Sequence, residues 1–130
     1  MGKRILFVDG DQTIGEAVTA MLKEMGHEVR KETSGMDALA VFSHDPGAFD
    51  LVITDLGMPD ISGLLLAEKF FKMRADVPLV LLTGAEGEAL SRTRETGIRW
   101  YCMKPISTAA LREAVESALT ATAKKRPGTE

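Results

Sequence analysis

Short apolar runs alternate along this chain with longer segments in which apolar residues recur at helical spacing. The short runs predict five strands, at residues 5–8, 27–33, 51–54, 79–82 and 98–103. The first, third and fourth runs are almost wholly apolar, which is typical of strands buried on both faces of a parallel sheet. The second run alternates and carries more charge, as we expect of an edge strand.

Five amphipathic segments predict helices between and after the strands. The first carries apolar residues at helical spacing up to Gly26, a residue type that commonly ends helices. Ser34, with Asp37 three residues later, predicts a capping box at the start of the second helix. The remaining helices are predicted over residues 64–73, over residues 86–96 and from the capping residue Ser107 onward.

This order of elements predicts one α/β domain. Strict alternation of strand and helix implies right-handed crossovers, with helices on both faces of a parallel sheet. The local pattern leaves the order of the strands open. Since the apolar pattern stops near Ala121, we predict a single domain over residues 1–120 and a C-terminal tail or linker stub over residues 121–130.

Composition argues against several classes of function. The net charge is −3 and no basic stripe is visible, so we expect no nucleic-acid binding by this domain. No apolar stretch approaches the ~20 residues of a membrane span. Cys102 is the only cysteine, which excludes an internal disulfide and fits a cytoplasmic protein. His27 and His44 lack partners at ligand spacing, which argues against zinc.

Polar residues follow or end four of the predicted strands. They are Asp9 and Asp11, Asp55, Thr83 and Lys104, in chain order. Ligand chemistry in parallel α/β sheets lies outside the carboxyl ends of the strands, so we expect these side chains to share one site. An acidic pair, a single carboxylate, a hydroxyl and a lysine together suit the handling of a phosphoryl group.

Each of these residue types meets one requirement of phosphoryl transfer to a carboxylate. Asp55 would be the acceptor, Lys104 the compact cation and Thr83 a hydroxyl donor. A hard cation such as Mg²⁺ takes carboxylates, a carbonyl and waters. Its candidate protein ligands are Asp9, Asp55, Asp11 and the backbone carbonyl of Gly57.

Four motifs resemble the receiver domain of bacterial two-component response regulators. They are Asp9-Gly10-Asp11, Asp55-Leu56-Gly57-Met58-Pro59 with Gly63, Leu82-Thr83-Gly84, and Tyr101-Cys102-Met103-Lys104-Pro105. Each is weak alone, but all four stand in order on the expected elements, and the resemblance covers residues 3–119. It implies a flavodoxin-like (βα)5 fold, a doubly wound parallel five-stranded sheet with strand order 2-1-3-4-5.

The resemblance also implies a function. Asp55 would accept a phosphoryl group from the phosphohistidine of a sensor histidine kinase or phosphotransfer protein, with Mg²⁺ as cofactor. Lys104 would pair with Asp55, and its bond to Pro105 would be cis. Such a domain is not an enzyme; it assists only its own phosphorylation and dephosphorylation.

The resemblance further implies a conformational switch. Thr83 and Tyr101 would form the switch couple. The signal would leave through the face formed by the predicted helix 86–96, the fifth strand and the C-terminal helix, toward an output domain or partner protein. A stand-alone receiver and a piece of a longer regulator or hybrid kinase both stay open. Trp100, beside Tyr101, is either peripheral core or a partner-binding anchor.

One position departs from the family pattern and keeps two alternatives open. The family usually has two adjacent acids after the first strand, and Gly10 occupies the place of the second, a direct metal ligand. We therefore consider a pseudo-receiver that binds proteins without being phosphorylated, unless Asp11 takes over the ligand role. The run from Asp9 to Thr13 also resembles haloacid-dehalogenase-like phosphatases, with Asp9 as nucleophile. That interpretation is less favoured, because it leaves the Asp55 motif unexplained.

Overall fold

One parallel sheet organises the part of the molecule that the computed structural model describes, which is residues 2–58, 60–84 and 95–125 with side chains up to residue 121. Its five strands are β1 (Arg4–Val8), β2 (Glu28–Glu32), β3 (Leu51–Asp55), β4 (Leu79–Thr83) and β5 (Trp100–Met103). The strand order is β2-β1-β3-β4-β5 and every neighbouring pair is parallel. The predicted fold class and strand order are confirmed.

Helices cover both faces of this sheet. Within the described ranges they are α1 (Gln12–Glu24), α2 (Gly35–His44), α3 (Gly63–Met73) and α4 (Thr108–Lys125), with a short 3-10 helix at Pro46–Ala48. The predicted helix over residues 86–96 lies outside the described residues, apart from residues 95 and 96, which are helical. No helix in the described ranges is both long enough and apolar enough to span a membrane.

Side-chain caps fix where the helices begin. Each of the four is preceded by a short polar residue whose oxygen accepts a backbone N–H of the first turn. These residues are Asp11, Ser34, Ser62 and Ser107. Helix α1 ends at Glu24, and Gly26, two residues later, has φ +94°. There the Gly26 and His27 N–H groups donate to the carbonyls of Lys23 and Leu22, which closes the last turn.

Helix α4 is longer than the apolar pattern predicted. It continues past Ala121, where we expected the ordered domain to end, as far as Lys125. The continuation has the composition Ala-Thr-Ala-Lys-Lys, in which Ala and Lys are good helix formers. Helix propensity therefore extends the element beyond its apolar stripe. The division into a domain over residues 1–120 and a tail over residues 121–130 stays a prediction.

Two apolar clusters lie on opposite faces of the sheet. Strand alternation sends Ile5 and Phe7 toward α1 and α4, while Leu6 and Val8 face α2 and α3. Strands β3 and β4 are buried along their whole length. Strand β2 has no buried residue, as expected of a charged edge strand. The packed core on both faces fixes the strands, and it therefore also fixes the residues at their carboxyl ends.

Candidate functional site

The predicted site residues meet at the carboxyl edge of the sheet. Asp55 ends β3, Thr83 ends β4, and Asp9 and Lys104 directly follow β1 and β5. The strand register sets Val8 beside Thr54, Asp55 beside Leu82 and Thr83 beside Met103. Four separate strand ends therefore deliver two carboxylates, a hydroxyl and an ammonium group to one place.

An ion pair between Asp55 and Lys104 stands at the centre of this edge. The Lys104 Nζ lies 2.9 Å from each carboxylate oxygen of Asp55. The side chain of Asp55 is only 7% exposed and that of Lys104 27%, so solvent screens this pair less than it screens a surface pair. The backbone N–H of Lys104 donates to the Thr83 carbonyl over 2.9 Å, which fixes the backbone of the lysine against β4. The peptide bond from Lys104 to Pro105 is cis, as the resemblance implied.

Asp9 carries a buried carboxylate that is only half satisfied. Its Oδ1 accepts the Asp11 N–H over 2.8 Å, whereas Oδ2 has no hydrogen-bond partner among the described residues. Burial raises the pKa of Asp9 and the charge of Asp55 raises it further, against the Asp11 hydrogen bond and the charge of Lys104. A buried oxygen without a partner costs free energy, and a bound cation would remove that cost.

The donor set fits a hard cation with few protein ligands. Asp9 Oδ2, Asp55 and the Gly57 carbonyl are oxygen donors, and Mg²⁺ commonly keeps several waters beside one or two carboxylates. Asp11 is otherwise engaged, since its Oδ1 accepts the Ile14 N–H and caps α1. No group of three or more His, Cys, Asp or Glu side chains converges as a metal site within the described ranges. Gly10, which has no side chain to offer, stands where the family usually has the extra acid.

The loop after Asp55 folds tightly back onto α3. The Gly63 N–H donates to the Leu56 carbonyl over 2.8 Å, and the Leu56 N–H donates to the Leu82 carbonyl over 3.0 Å. A Cβ on Gly63 would lie 2.3 Å from the Asp55 carbonyl oxygen, so only glycine allows this approach. A Cβ on Gly57 would meet nothing within 4 Å. The Gly57 N–H reaches Asp55 Oδ1 over 3.4 Å.

The proposed switch residues share one face of the sheet. Thr83 is buried, and its strand neighbour Leu81 pairs with Tyr101 on β5. Alternation therefore places Thr83 and Tyr101 on the side of α3. The Tyr101 hydroxyl donates over 3.0 Å to the carbonyl of Ile98, which lies just before β5. Their action as a switch couple stays a prediction.

Trp100 lies on the opposite face from Tyr101, as alternation predicted. It is half-buried against the cluster beneath α1 and α4. The Arg99 guanidinium lies over its ring, 4.7 Å from the centroid. These contacts favour the peripheral-core interpretation of Trp100.

Asp60 is a residue near the site that sequence reasoning missed. Its Oδ1 and Oδ2 accept the N–H groups of Gly35 and Met36, each over 3.0 Å. The Met36 and Gly35 hydrogen bonds lower the pKa of Asp60. The only local signal is a carboxylate in a loop, and no sequence pattern connects residue 60 to residue 35.

Known proteins resemble this chain along most of its length. The family model described as response regulator receiver domain matches residues 5–116. Chemotaxis protein CheY-3 of Vibrio cholerae is 30% identical over 120 residues, which cover 87% of this chain and 88% of CheY-3. The crystal structure of a CheY-like receiver domain protein from Methanospirillum hungatei superposes with a TM-score of 0.88 at 29% identity, covering 97% of this chain and 100% of that one.

Larger regulators also match. The DNA-binding transcriptional regulator NtrC of Azospirillum brasilense is 35% identical over 117 residues, which cover 88% of this chain. This chain spans only 18–24% of the length of NtrC and two other curated relatives.

Proposed function

This chain belongs to the response regulator receiver domain family of two-component systems, and we propose that it acts by accepting a phosphoryl group on Asp55. The observation that carries the proposal is the buried pair of Asp55 and Lys104, with the unpartnered oxygen of Asp9 beside it. An acceptor carboxylate, a fixed cation and a carboxylate oxygen that is available to a metal ion therefore lie together at the carboxyl edge of the sheet. The phosphodonor would be the phosphohistidine of a sensor histidine kinase or phosphotransfer protein.

The transfer step follows from the positions of these groups. A carboxylate oxygen of Asp55 forms the bond to phosphorus as the P–N bond of the phosphohistidine breaks, and the leaving imidazole takes up a proton. Lys104 holds its charge within 2.9 Å of both oxygens, so a cation stays beside whichever oxygen does not attack. Thr83 ends the neighbouring strand, from which its hydroxyl would donate to a phosphoryl oxygen.

Asp9, Asp55 and the Gly57 carbonyl would hold Mg²⁺. When bound, the metal would neutralise charge on the phosphoryl oxygens. Asp9 already has one oxygen oriented by the Asp11 N–H, which leaves Oδ2 for the metal. Because Gly10 supplies no ligand, we propose that metal binding is weaker than a third carboxylate would make it. Asp11 as an additional ligand stays a prediction.

We also propose how phosphorylation of this domain is passed on to another domain or protein. Phosphorylation would act through Thr83 and Tyr101 on the face formed by the predicted helix 86–96, β5 and α4. An output domain or a separate partner protein would read that face, as the regulators of greater length suggest. We propose no catalytic activity beyond the domain's own phosphorylation and dephosphorylation.

Intact-mass measurement tests the acceptor. We expect a small phosphodonor with Mg²⁺ to add one phosphoryl group to the parent protein and none to Asp55→Asn, which keeps the shape of the side chain without the nucleophilic oxygen. Asp76→Asn, at the far edge of the sheet, is the matched control and should behave as the parent does. Equal uptake by Asp55→Asn and the parent would refute the assignment.

A pseudo-receiver is the second candidate, and the observation that favours it is the missing third acid within the described ranges. Gly10→Asp separates the two. If the parent takes up no phosphate at saturating Mg²⁺ and Gly10→Asp does, the chain is a binding module in its present form. If beryllofluoride or phosphate is found on Asp9 instead of Asp55, the phosphatase interpretation replaces both.

A further inference from the structure

The loop that follows Asp55 is attached to a helix that carries no proposed catalytic residue. The carboxylate of Asp60 accepts the first two N–H groups of α2, from Gly35 and Met36, over 3.0 Å each. The first N–H groups of a helix have no partner within the helix, and a negative charge is favoured there. Asp60 thus caps the start of a helix whose first two residues precede it by 25 and 24 positions in the chain.

A second contact supports the attachment independently. A Cβ on Gly35 would lie 2.1 Å from Ile61 Cγ2, so the start of α2 lies flush against the loop. Ile61 in turn packs against the apolar cluster of α2 and α3. Helix α2 is itself held by Ala38 and Phe42, which are fully buried. The loop is therefore fixed to a firmly packed part of the core.

Gly57, which lies between these anchors, has few contacts of its own, while its neighbour Met58 packs against the apolar cluster of α2 and α3. Gly57 is exposed, and an added Cβ there would meet nothing within 4 Å. Its N–H makes only a long contact, 3.4 Å, with Asp55 Oδ1. Firm points flank it on both sides, in the hydrogen bonds of Leu56 and of Asp60.

We infer that Asp60 is a positioning residue for the acceptor loop: by capping α2, it holds the backbone at Gly57, whose carbonyl is a proposed metal ligand. The inference rests on the proposed function for its consequence. Because only two carboxylates are proposed for the metal, the orientation of this carbonyl carries a larger share of the affinity. Groups that orient metal ligands commonly change metal affinity by about 10–100-fold when removed.

Ser34 offers a matched control on the same helix. Its Oγ accepts the Asp37 N–H over 3.1 Å, so Ser34→Ala also removes a cap from the start of α2 without removing a group of the acceptor loop. Caps of this kind stabilise the start of a helix. Asp60→Ala and Ser34→Ala should therefore weaken α2 alike and differ only in what happens to Gly57.

Two measurements on unphosphorylated protein decide the matter. Calorimetric titration with Mg²⁺ should show a Kd about tenfold higher for Asp60→Ala, at the lower end of the usual range, with Ser34→Ala close to the parent. The backbone order parameter of the Gly57 N–H, from ¹⁵N relaxation of metal-free protein, should be lower in Asp60→Ala alone. Asp60→Asn keeps acceptor capacity without the charge and should fall between Asp60→Ala and the parent.

Equal changes in Asp60→Ala and Ser34→Ala, or an unchanged order parameter at Gly57 in Asp60→Ala, would overturn the inference. Should Asp60→Ala not fold, Asp60→Asn takes its place against Ser34→Ala with the same criteria. If the parent binds no Mg²⁺ or takes up no phosphate, the proposed function fails. The order parameter at Gly57 still decides whether Asp60 positions the loop, so the two failures are distinguishable.

Discussion

The carboxyl and amino edges of the sheet differ in whether their buried polar groups have hydrogen-bond partners. At the carboxyl edge, a carboxylate oxygen of Asp9 has no partner among the described residues, and it lies beside a second carboxylate, Asp55, that is paired with Lys104. At the amino edge, Arg74 donates through Nη1 to the carbonyls of Phe49 and Pro46 over 2.6 and 3.2 Å. Buried polar groups are thus left incomplete at one edge and paired at the other.

Polar groups nearer the surface at the amino edge are paired as well. The Arg4 N–H donates to Asp50 Oδ2 over 2.9 Å, and the Arg4 guanidinium lies 5.6 Å from the centre of the Phe49 ring. The Arg74 Nε adds an ion pair with Asp76 over 3.1 Å. Polar groups with hydrogen-bond partners stabilise the fold. A buried carboxylate oxygen without a partner lowers stability, and such a group is retained where it binds a ligand. We therefore expect substitutions at the two edges to separate activity from stability.

The largest effect is expected at Lys104. Lys104→Met removes the cation from both oxygens of Asp55, and loss of one such donor typically lowers a transfer rate by about 10²–10³-fold. The initial rate of phosphate uptake from a small phosphodonor measures it. Arg74→Met is the control from the opposite edge and should leave the rate per folded molecule unchanged. A comparable loss of rate in both variants would break the contrast between the edges.

Arg74 should matter for stability instead. Arg74→Met leaves two backbone carbonyls without their charged donor, which should lower the free energy of unfolding by about 2–4 kcal/mol in urea denaturation. Arg74→Lys should restore little, because lysine lacks the planar fork of the guanidinium. Asp76 is 70% exposed, so Asp76→Ala should cost less than about 1 kcal/mol. An equal loss in Asp76→Ala and Arg74→Met would show that the ion pair, and not the carbonyl contacts, carries the effect.

Asp9 should show the reverse sign. Asp9→Asn removes a buried charge, so without Mg²⁺ the free energy of unfolding should rise by about 1–2 kcal/mol at neutral pH. Because the pKa of Asp9 is raised on folding, the folded parent keeps this proton to higher pH than the unfolded chain does. Its stability should therefore fall as pH rises through that pKa, and Asp9→Asn should lack this fall.

The amino edge again supplies the control for Asp9. Asp50→Asn alters a carboxylate that accepts a backbone N–H and has no buried oxygen without a partner, so it should give no gain in stability. Mg²⁺ should stabilise the parent protein and stabilise Asp9→Asn less, as thermal unfolding with and without the metal would show. A loss of stability in Asp9→Asn would mean that Oδ2 is satisfied in solution.

The carboxyl edge was far more predictable from the amino-acid sequence than the amino edge. Polar residues that follow apolar runs mark strand ends, and parallel topology brings such ends together, so Asp9, Asp55, Thr83 and Lys104 could be grouped from their positions along the chain. Gly63 belonged to a recognisable motif, but its close approach to the Asp55 carbonyl is a property of the folded backbone.

Contacts between loops distant in sequence could not be predicted. Arg74 binding Phe49 and Asp60 capping α2 connect loops whose spacing carries no periodic signal. Both are side chain to backbone contacts, and residue type alone does not reveal their partners, because these depend on where the helices lie on the sheet. The extension of α4 to Lys125 was missed for another reason, since propensity extended a helix whose apolar stripe had ended.

The smallest effect is expected at His27, also at the amino edge. The Lys3 N–H donates to His27 Nδ1 over 3.1 Å, which requires that nitrogen to be unprotonated. Burial lowers the pKa of His27, against the opposing charges of Glu116 and Asp50. Below its ordinary pKa of about 6.5, the unfolded chain therefore binds the proton more readily than the folded one. Stability should fall as pH drops from that value through the lowered one.

His27→Asn keeps an acceptor near the position of Nδ1 and cannot titrate in this range. Between neutral pH and pH ~5, we expect the titration of His27 to lower the free energy of unfolding of the parent by less than about 1 kcal/mol, the scale of one neutral hydrogen bond. His27→Asn should lack this contribution. His44→Asn, at the exposed end of α2, controls for the loss of a histidine. Urea denaturation across this pH range measures the difference. If the pH dependence of His27→Asn matches that of the parent, the hydrogen bond between the Lys3 N–H and His27 contributes nothing to stability. The contacts of the arginines would then account for the stability of the amino edge.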